Sequence, residues 1–254
     1  MEKLYLITDL DRTIIHSRNK GFKCVESIGD RAITYMTEYS YNKLQQLLKL
    51  DKFIFIPCTM RSIEQTLRVG FIREYNPKIM ICSNGAQIYI NGKLDLEWDN
   101  YMRNFVTMRE IENNINAINE LNIRYEEIIN IEDFYINVKF KNDEEAIEKY
   151  KIIYDKFDKN FMVGQVAAKV FIINKNINKI KAVDYIIKKC NINKLITSGD
   201  SDVDKEFTTR GQAILPKHST FTHKNAIVTK QKGIYATDEL LNIVERYIGF
   251  QAEI

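Results

Sequence analysis

Two acidic stretches from opposite ends of the chain have the residue types and spacing of a metal-assisted reaction centre. Asp9 and Asp11 lie two residues apart after an apolar run near the N-terminus, and a late segment reads GDSDVD over 199–204. Carboxylates brought close together repel one another unless a cation lies among them. Oxygen ligands without a histidine or cysteine cluster favour Mg²⁺ over zinc.

Such a site would suit phosphoryl transfer. Protein-bound Mg²⁺ commonly holds a substrate phosphate, and a carboxylate can attack the phosphorus to form an aspartyl-phosphate. A second carboxylate two residues away could protonate the leaving oxygen and later activate water. The spacing alone also fits two solvated acids at the end of a strand, because residues i and i+2 of an extended segment share a face.

The elements that would position these acids alternate between strand and helix. Continuous apolar runs over 3–11, 52–60 and 78–86 are typical of strands buried on both faces, and helical patterns over 40–51 and 61–75 separate them. The alternation returns with a helix over 178–190, a strand and loop over 193–202, and short strands over 211–216 and 225–230. A closing helix over 236–249 follows, which Thr237 is expected to cap. This order predicts an α/β fold with a parallel, Rossmann-like core sheet.

Ligands of such sheets bind where the strands end. The polar residues at the predicted strand ends are Asp9, Asp11, Thr59, Ser83, Asn84, Asp200, Asp202 and Asp204. We expect these side chains to meet at one edge of the sheet.

The middle of the chain has a different pattern of charged and apolar residues. Residues 87–176 combine charged helical stretches with alternating strand-like segments, which is typical of an α+β unit with an antiparallel sheet. We predict a core formed by 1–86 and 177–254 with an inserted cap domain over 87–176; the alternative is that these residues merely extend the core. Within 14–39, alternation on either side of Gly29 and Asp30 predicts a β-hairpin.

Composition excludes some classes of function. The 254 residues are 45% hydrophobic, and 37 Lys and Arg against 34 Asp and Glu give a net charge of only +3, spread along the chain, so no nucleic-acid partner is expected. No run reaches the length of a membrane span, no signal peptide is evident, and the four cysteines lack metal spacing. We expect a cytoplasmic protein with reduced cysteines, either a monomer or a homodimer.

The order of the motifs resembles that of a known superfamily. The segments TDLDRTI (8–14), CTMRS (58–62), a lysine at a helix start and GDSDVD (199–204) resemble the four motifs of haloacid dehalogenase (HAD) superfamily phosphatases. The segments CSNGAQI (82–88) and KGIYATDELLNIV (232–244) narrow the resemblance to the Cof-type and sucrose-phosphatase-like subgroup, whose cap domain is of the C2 type.

The resemblance implies a role for each matching residue. It makes Asp9 the nucleophile and a Mg²⁺ ligand, and Asp11 the general acid/base with its backbone carbonyl on the metal. It makes Thr59 a hydrogen-bond donor to the transferring phosphoryl group. The motif lysine it implies is Lys179, with Lys181 as the alternative. The resemblance makes Arg61 and Asn84 further substrate contacts. It makes Asp200 and Asp204 metal ligands.

The function implied is a Mg²⁺-dependent phosphomonoester hydrolase that acts on a small phosphorylated metabolite, such as a sugar phosphate, with specificity supplied by the cap domain. The alternatives are a phosphomutase or phosphotransferase of the same fold and a non-catalytic protein that binds a phosphorylated ligand. The sequence departs from the family at Arg12, where glycine is usual. Arg12 could narrow the pocket, add charge near it or point to solvent. A surface position is expected for His218, and the alternative is that it borders the pocket.

Overall fold

The computed structural model describes residues 2–17, 21–157 and 161–249. Its contacts divide the chain into two compact units, one formed by Met1–Asp95 with Lys179–Ile254 and the other by Leu96–Asn178. The predicted insertion began at residue 87, whereas the strand Gln87–Ile90 pairs with Ile79–Cys82 and so belongs to the first unit. Residues 18–20 of the predicted excursion and residues 250–254 of the predicted core lie outside the described residues.

The strands in chain order are β1 (Leu4–Thr8), β2 (His16–Ser17), β3 (Lys23–Ile28), β4 (Arg31–Met36), β5 (Phe53–Pro57), β6 (Ile79–Cys82), β7 (Gln87–Ile90), β8 (Lys93–Leu94), β9 (Glu127–Ile131), β10 (Tyr135–Lys139), β11 (Phe161–Val166), β12 (Lys169–Asn174), β13 (Leu195–Ser198), β14 (Gln212–Leu215) and β15 (Ile227–Val228). The helices are α1 (Glu38–Leu48), α2 (Ile63–Leu67), α3 (Gly70–Tyr75), α4 (Leu96–Arg103), α5 (Met108–Glu120), α6 (Asp143–Lys156), α7 (Lys179–Cys190) and α8 (Ile234–Gly249). Short 3₁₀ turns cover Ser83–Gly85, Asp202–Asp204 and Phe207–Thr209.

A parallel sheet forms the centre of the first unit, as predicted. Its strand order is β15-β14-β13-β1-β5, and β1 pairs in parallel with both of its neighbours. Leu6 and Phe55 on these strands are fully buried, and the helices α1 and α8 cover the sheet through Leu44, Leu240 and Val244, which lie in the same apolar cluster. Burial on both faces explains why these strands have continuous apolar sequences.

The register of this sheet brings the motif residues together. Thr8, the last residue of β1, lies opposite Ser198 at the end of β13 and opposite Pro57 at the end of β5. Because the strands are parallel, the segments that follow them emerge at one edge, and these segments carry Asp9, Asp200 and Thr59.

The predicted hairpin is confirmed. Strands β3 and β4 pair antiparallel with Ile28 opposite Arg31, and β2 pairs with the other side of β4. The turn contains Gly29 at φ +55°, a left-handed conformation that glycine adopts without steric cost.

Two local predictions are wrong. The helical pattern over 61–75 forms two helices, because Val69 has an extended backbone with ψ 116° and interrupts the helical conformation between α2 and α3. Thr237 does not cap the closing helix, since α8 begins at Ile234. Instead, the Thr237 hydroxyl lies inside α8, donates to the Thr13 carbonyl and contacts the His16 ring at 2.8 Å.

The second unit is an α+β unit, as its helical and alternating strand-like segments predicted. An antiparallel sheet of order β11-β12-β10-β9 forms its centre, with the helices α4, α5 and α6. Ile118 of α5, Ile136 of β10 and Ile153 of α6 are fully buried in it. In the part of the chain that is described, no helix is long and apolar enough to cross a membrane.

Candidate active site

Three buried carboxylates lie at the edge of the sheet. Asp9 follows β1, whereas Asp200 and Asp204 belong to the loop after β13, and one oxygen from each lies within 4.8 Å of the others. Among the described residues, no histidine or cysteine belongs to this group of ligand atoms. An arrangement of oxygen donors this close fits a hard divalent cation such as Mg²⁺.

Lys179 neutralises part of this charge. It is the first residue of α7, its side chain is 1% exposed, and its Nζ donates to Oδ1 of Asp9 and to Oδ1 of Asp204, both at 2.6 Å. Burial opposes protonation of the amine, but the two carboxylates outweigh it and raise the pKa of Lys179. Lys179 therefore remains a cation in contact with Asp9.

Asp204 organises the loop after β13. Its Oδ2 accepts hydrogen bonds from the backbone N–H groups of Asp200 and Ser201, both at 3.1 Å, and from the Ser201 hydroxyl at 2.9 Å. A Cβ at Gly199 would lie 2.4 Å from the Asp204 Cβ, so only glycine fits there. These contacts fix the backbone that presents Asp200.

Asp200 is the carboxylate best suited to receive a cation. Its Oδ2 is buried and has no aligned hydrogen-bond donor among the described residues, although Arg12 Nε lies 3.1 Å away as an ion pair. Burial raises the pKa of Asp200 to about 7, while the Arg12 charge lowers it. Burial likewise raises the pKa of Asp9 well above its usual range, while Lys179 opposes that shift. A bound cation would favour the ionised form of both carboxylates, because its positive charge offsets the repulsion between them.

Thr59 and Asn84 come from the neighbouring strand ends. Thr59 is 1% exposed, and its hydroxyl oxygen accepts from the backbone N–H of Arg61 at 3.2 Å. Among the described residues the structure gives the Thr59 hydroxyl proton no acceptor, so it can donate to a substrate oxygen. The Asn84 backbone N–H donates to the Thr59 carbonyl at 3.0 Å, which fastens the loop after β6 to the loop after β5.

Asp11 lies outside the group of three carboxylates, and Arg61 binds its carboxylate. Arg61 Nε donates to Oδ2 and Nη2 to Oδ1, both at 2.7 Å, in a bidentate pair. The resemblance assigns Arg61 to the substrate, whereas in the structure Arg61 Nη1 donates to Glu26 at 2.9 Å, so this guanidinium is already in use on both sides.

Glu26 is a component of the site that the sequence analysis did not identify. Its side chain is fully buried, and its carboxylate accepts from Arg61, from Arg68 at 3.2 Å and from the Thr34 hydroxyl at 3.1 Å. The register between β3 and β4 shifts on both sides of Glu26, and such a bulge can redirect a side chain. No sequence pattern distinguishes a glutamate that pairs with buried arginines from any other glutamate in a strand, so this role could not be predicted.

We expect Glu26→Ala to lower the free energy of unfolding by about 3 kcal/mol, because removing one partner of a buried ion pair leaves the other charge uncompensated. Denaturant unfolding measures this change. Glu38→Ala is the matched control, since Glu38 is exposed and pairs loosely with Lys23 at 3.6 Å, and its effect should stay within about 0.5 kcal/mol. Equal effects of the two substitutions would contradict the prediction.

Arg12 has a left-handed backbone at φ +62°, which explains why glycine suits this position. For a non-glycine residue this conformation costs on the order of 1 kcal/mol. Two contacts hold it: the Arg12 N–H donates to the Ile15 carbonyl at 2.7 Å, and His218 Nε2 donates to the Arg12 carbonyl at 2.8 Å. His218 is half-buried, and its Nδ1 accepts from the Gly233 N–H at 3.1 Å, so both of its ring nitrogens are hydrogen-bonded.

Comparison with known families gives one extensive match. A model described as sucrose-6F-phosphate phosphohydrolase matches residues 2–215 of the chain. No curated protein matches the sequence.

Solved structures share the fold at low sequence identity. The sucrose-phosphatase of Synechocystis sp. PCC6803, solved in complex with sucrose and phosphate, aligns with a TM-score of 0.63 and 14% identity over 96% of this chain and 98% of that one. The C-terminal domain of C. albicans trehalose-6-phosphate phosphatase aligns with a TM-score of 0.64 and 11% identity over 96% and 92% of the two chains. A haloacid dehalogenase-like hydrolase from Bacteroides thetaiotaomicron aligns with a TM-score of 0.63 and 11% identity over 97% and 100%.

Proposed function

The chain belongs to the sucrose-6F-phosphate phosphohydrolase family and is a phosphatase of the HAD superfamily; from this premise we propose that it hydrolyses a small phosphomonoester with Mg²⁺ through an aspartyl-phosphate on Asp9. The observation that carries the proposal is the contact between Lys179 and Asp9 beside the carboxylates of Asp200 and Asp204. Phosphoryl transfer through a covalent intermediate requires a nucleophile and positive charge near the phosphate. Asp9 would be that nucleophile, and Lys179 supplies a positive charge beside it.

In this mechanism Asp9 attacks the phosphorus. Lys179 donates to Oδ1 of Asp9, so we assign the attack to Oδ2. The bond from phosphorus to the leaving oxygen breaks as the Asp9–phosphorus bond forms, and the Thr59 hydroxyl donates to a phosphoryl oxygen. A divalent cation bound by Asp9, Asp200 and Asp204, and by the Asp11 backbone carbonyl, would offset the negative charge of phosphate and carboxylates.

Asp11 transfers the protons. It protonates the leaving oxygen in the first step, then takes a proton from the water that attacks the aspartyl-phosphate and releases inorganic phosphate. In the structure both Asp11 oxygens accept from Arg61, so we assign Arg61 to orienting this carboxylate. This arrangement requires Asp11 to exchange at least one of these hydrogen bonds for substrate or water during turnover.

The substrate class we propose is a phosphorylated sugar. The supporting observations are the family itself and the fold shared with a sucrose-phosphatase that binds sucrose and phosphate. We assign the choice of leaving group to the second unit, Leu96–Asn178, in the role of a cap domain. A panel of phosphorylated metabolites, scored by phosphate release, identifies the sugar.

Hydrolysis of p-nitrophenyl phosphate tests the reaction. We expect turnover with Mg²⁺, loss of turnover in excess EDTA and recovery when Mg²⁺ is restored, because Asp9, Asp200 and Asp204 repel one another and the substrate without a cation. The release of p-nitrophenol at 405 nm measures the rate. Equal rates with Mg²⁺ and with EDTA would contradict the metal requirement, and no turnover under either condition would contradict the proposed function.

A further inference from the structure

The Arg12 guanidinium pairs with Asp200, one of the three neighbouring carboxylates, and most of its donors are unused. Its Nε is 3.1 Å from Oδ2 of Asp200, and the side chain is 50% exposed. Among the described residues this ion pair is the only partner that the structure gives the Arg12 side chain. A guanidinium carries five N–H donors in a planar fork, so the edge formed by the two amino groups remains available while Nε faces Asp200.

The two other cations that contact Asp9, Asp11 or Asp204 are fully engaged. Lys179 donates to Asp9 and Asp204 and is buried. Arg61 donates through Nε and Nη2 to Asp11 and through Nη1 to Glu26. Of the three described cationic side chains that contact Asp9, Asp11, Asp200 or Asp204, Arg12 alone is half exposed with a single partner.

The backbone of Arg12 supplies an independent reason to look for a role of its side chain. Its left-handed conformation disfavours any residue with a Cβ, and glycine would make the same backbone contacts to Ile15 and His218 without strain. What arginine adds at this position is therefore its side chain, directed at Asp200.

We propose that Arg12 is a phosphate-binding residue, whose amino groups bind oxygens of the substrate phosphoryl group and of the inorganic phosphate product. The planar fork matches two oxygens of a phosphate in a bidentate pair. The ion pair with Asp200 places the guanidinium at the group of three carboxylates to which Asp9 belongs. This inference rests on the proposed function and adds a contact at a position where the family resemblance expects glycine.

Isothermal titration of the full chain with inorganic phosphate, in the presence of Mg²⁺, tests the proposal. We expect Arg12→Gly to weaken phosphate binding about tenfold or more, the size typical of a lost charge-assisted hydrogen bond. Arg12→Lys should weaken it less, since it keeps the charge without the fork. Arg210→Gln is the matched control: it removes the same charge from an exposed ion pair with Asp184 and should leave phosphate binding unchanged.

Thermal unfolding separates binding from a structural role. Arg12→Gly relieves the left-handed strain but removes the ion-pair partner of the buried Asp200 carboxylate, and because these two effects oppose each other we expect only a small change in Tm. A lower Tm with phosphate binding within twofold of the wild type would make Arg12 a structural ion-pair partner and overturn the proposal. Loss of affinity for a bisphosphorylated sugar alone, with inorganic phosphate unaffected, would overturn it too, since Arg12 would then contact the leaving group.

The measurements also separate this inference from the proposed function. If wild-type protein hydrolyses p-nitrophenyl phosphate and binds phosphate but Arg12→Gly binds it equally well, only the role of Arg12 fails. If wild-type protein does neither, the proposed function fails, and the role of Arg12 fails with it.

Discussion

Asp9→Asn is expected to abolish phosphatase turnover, lowering kcat by more than about 10⁴-fold, the scale of losing a covalent nucleophile. An amide has nearly the shape of a carboxylate and can still accept the Lys179 hydrogen bond, but its oxygen is too weak a nucleophile to form the aspartyl-phosphate. Steady-state hydrolysis of p-nitrophenyl phosphate with Mg²⁺ measures the loss.

Stability measurements exclude unfolding as its cause. Asp9→Asn removes one of three neighbouring buried carboxylates, so the Tm in EDTA is expected not to fall. Asp51→Asn is the matched control, because Asp51 is exposed in the turn before β5, and it should retain wild-type kcat and Tm. Wild-type turnover in Asp9→Asn would end the assignment of Asp9 as nucleophile, whatever the substrate.

Lys179→Met is expected to impair both catalysis and folding. The methionine keeps much of the side-chain volume but removes the charge that offsets Asp9 and Asp204, which lie 2.6 Å from it. Removing one partner of such a buried group costs about 3 to 5 kcal/mol of stability. We also expect kcat to fall by more than about 10³-fold, because Asp9 loses the cation that orients it. Denaturant unfolding and hydrolysis of p-nitrophenyl phosphate measure the two effects.

Lys181→Met is the matched control on the same helix. Lys181 is two residues further along α7, outside the contacts that Lys179 makes with Asp9 and Asp204, and its replacement should leave kcat within about twofold of the wild type. The reverse outcome, with Lys181→Met inactive and Lys179→Met active, would transfer the role of the motif lysine to Lys181. If Lys179→Met is too unstable to purify, Lys179→Arg keeps the charge, and we expect it to fold but to turn over slowly.

The core of the fold could be predicted because its signals are local. Apolar runs of strand length ending in polar residues identified β1, β5 and β13, and burial on both faces of the sheet makes such runs necessary. The hairpin turn at Gly29 was recognisable for a similar reason, since few residues other than glycine adopt its left-handed backbone easily. The break between α2 and α3 has one sequence signal, Gly70 directly after Val69, but the apolar spacing runs on through it and favours a single helix.

The sequence by itself determined the set of reactive groups, their order along the chain and the strand ends that carry them. Tertiary structure alone decided their pairing: Lys179 with Asp9, Arg12 with Asp200, and Glu26 with Arg61. The physical reason is that local propensity and burial act within a few residues, whereas each of these ion pairs joins residues distant in sequence through strand register and side-chain reach. Arg12 is the clearest example. The sequence shows only that arginine stands where glycine is usual, whereas the structure shows that its side chain forms an ion pair with Asp200.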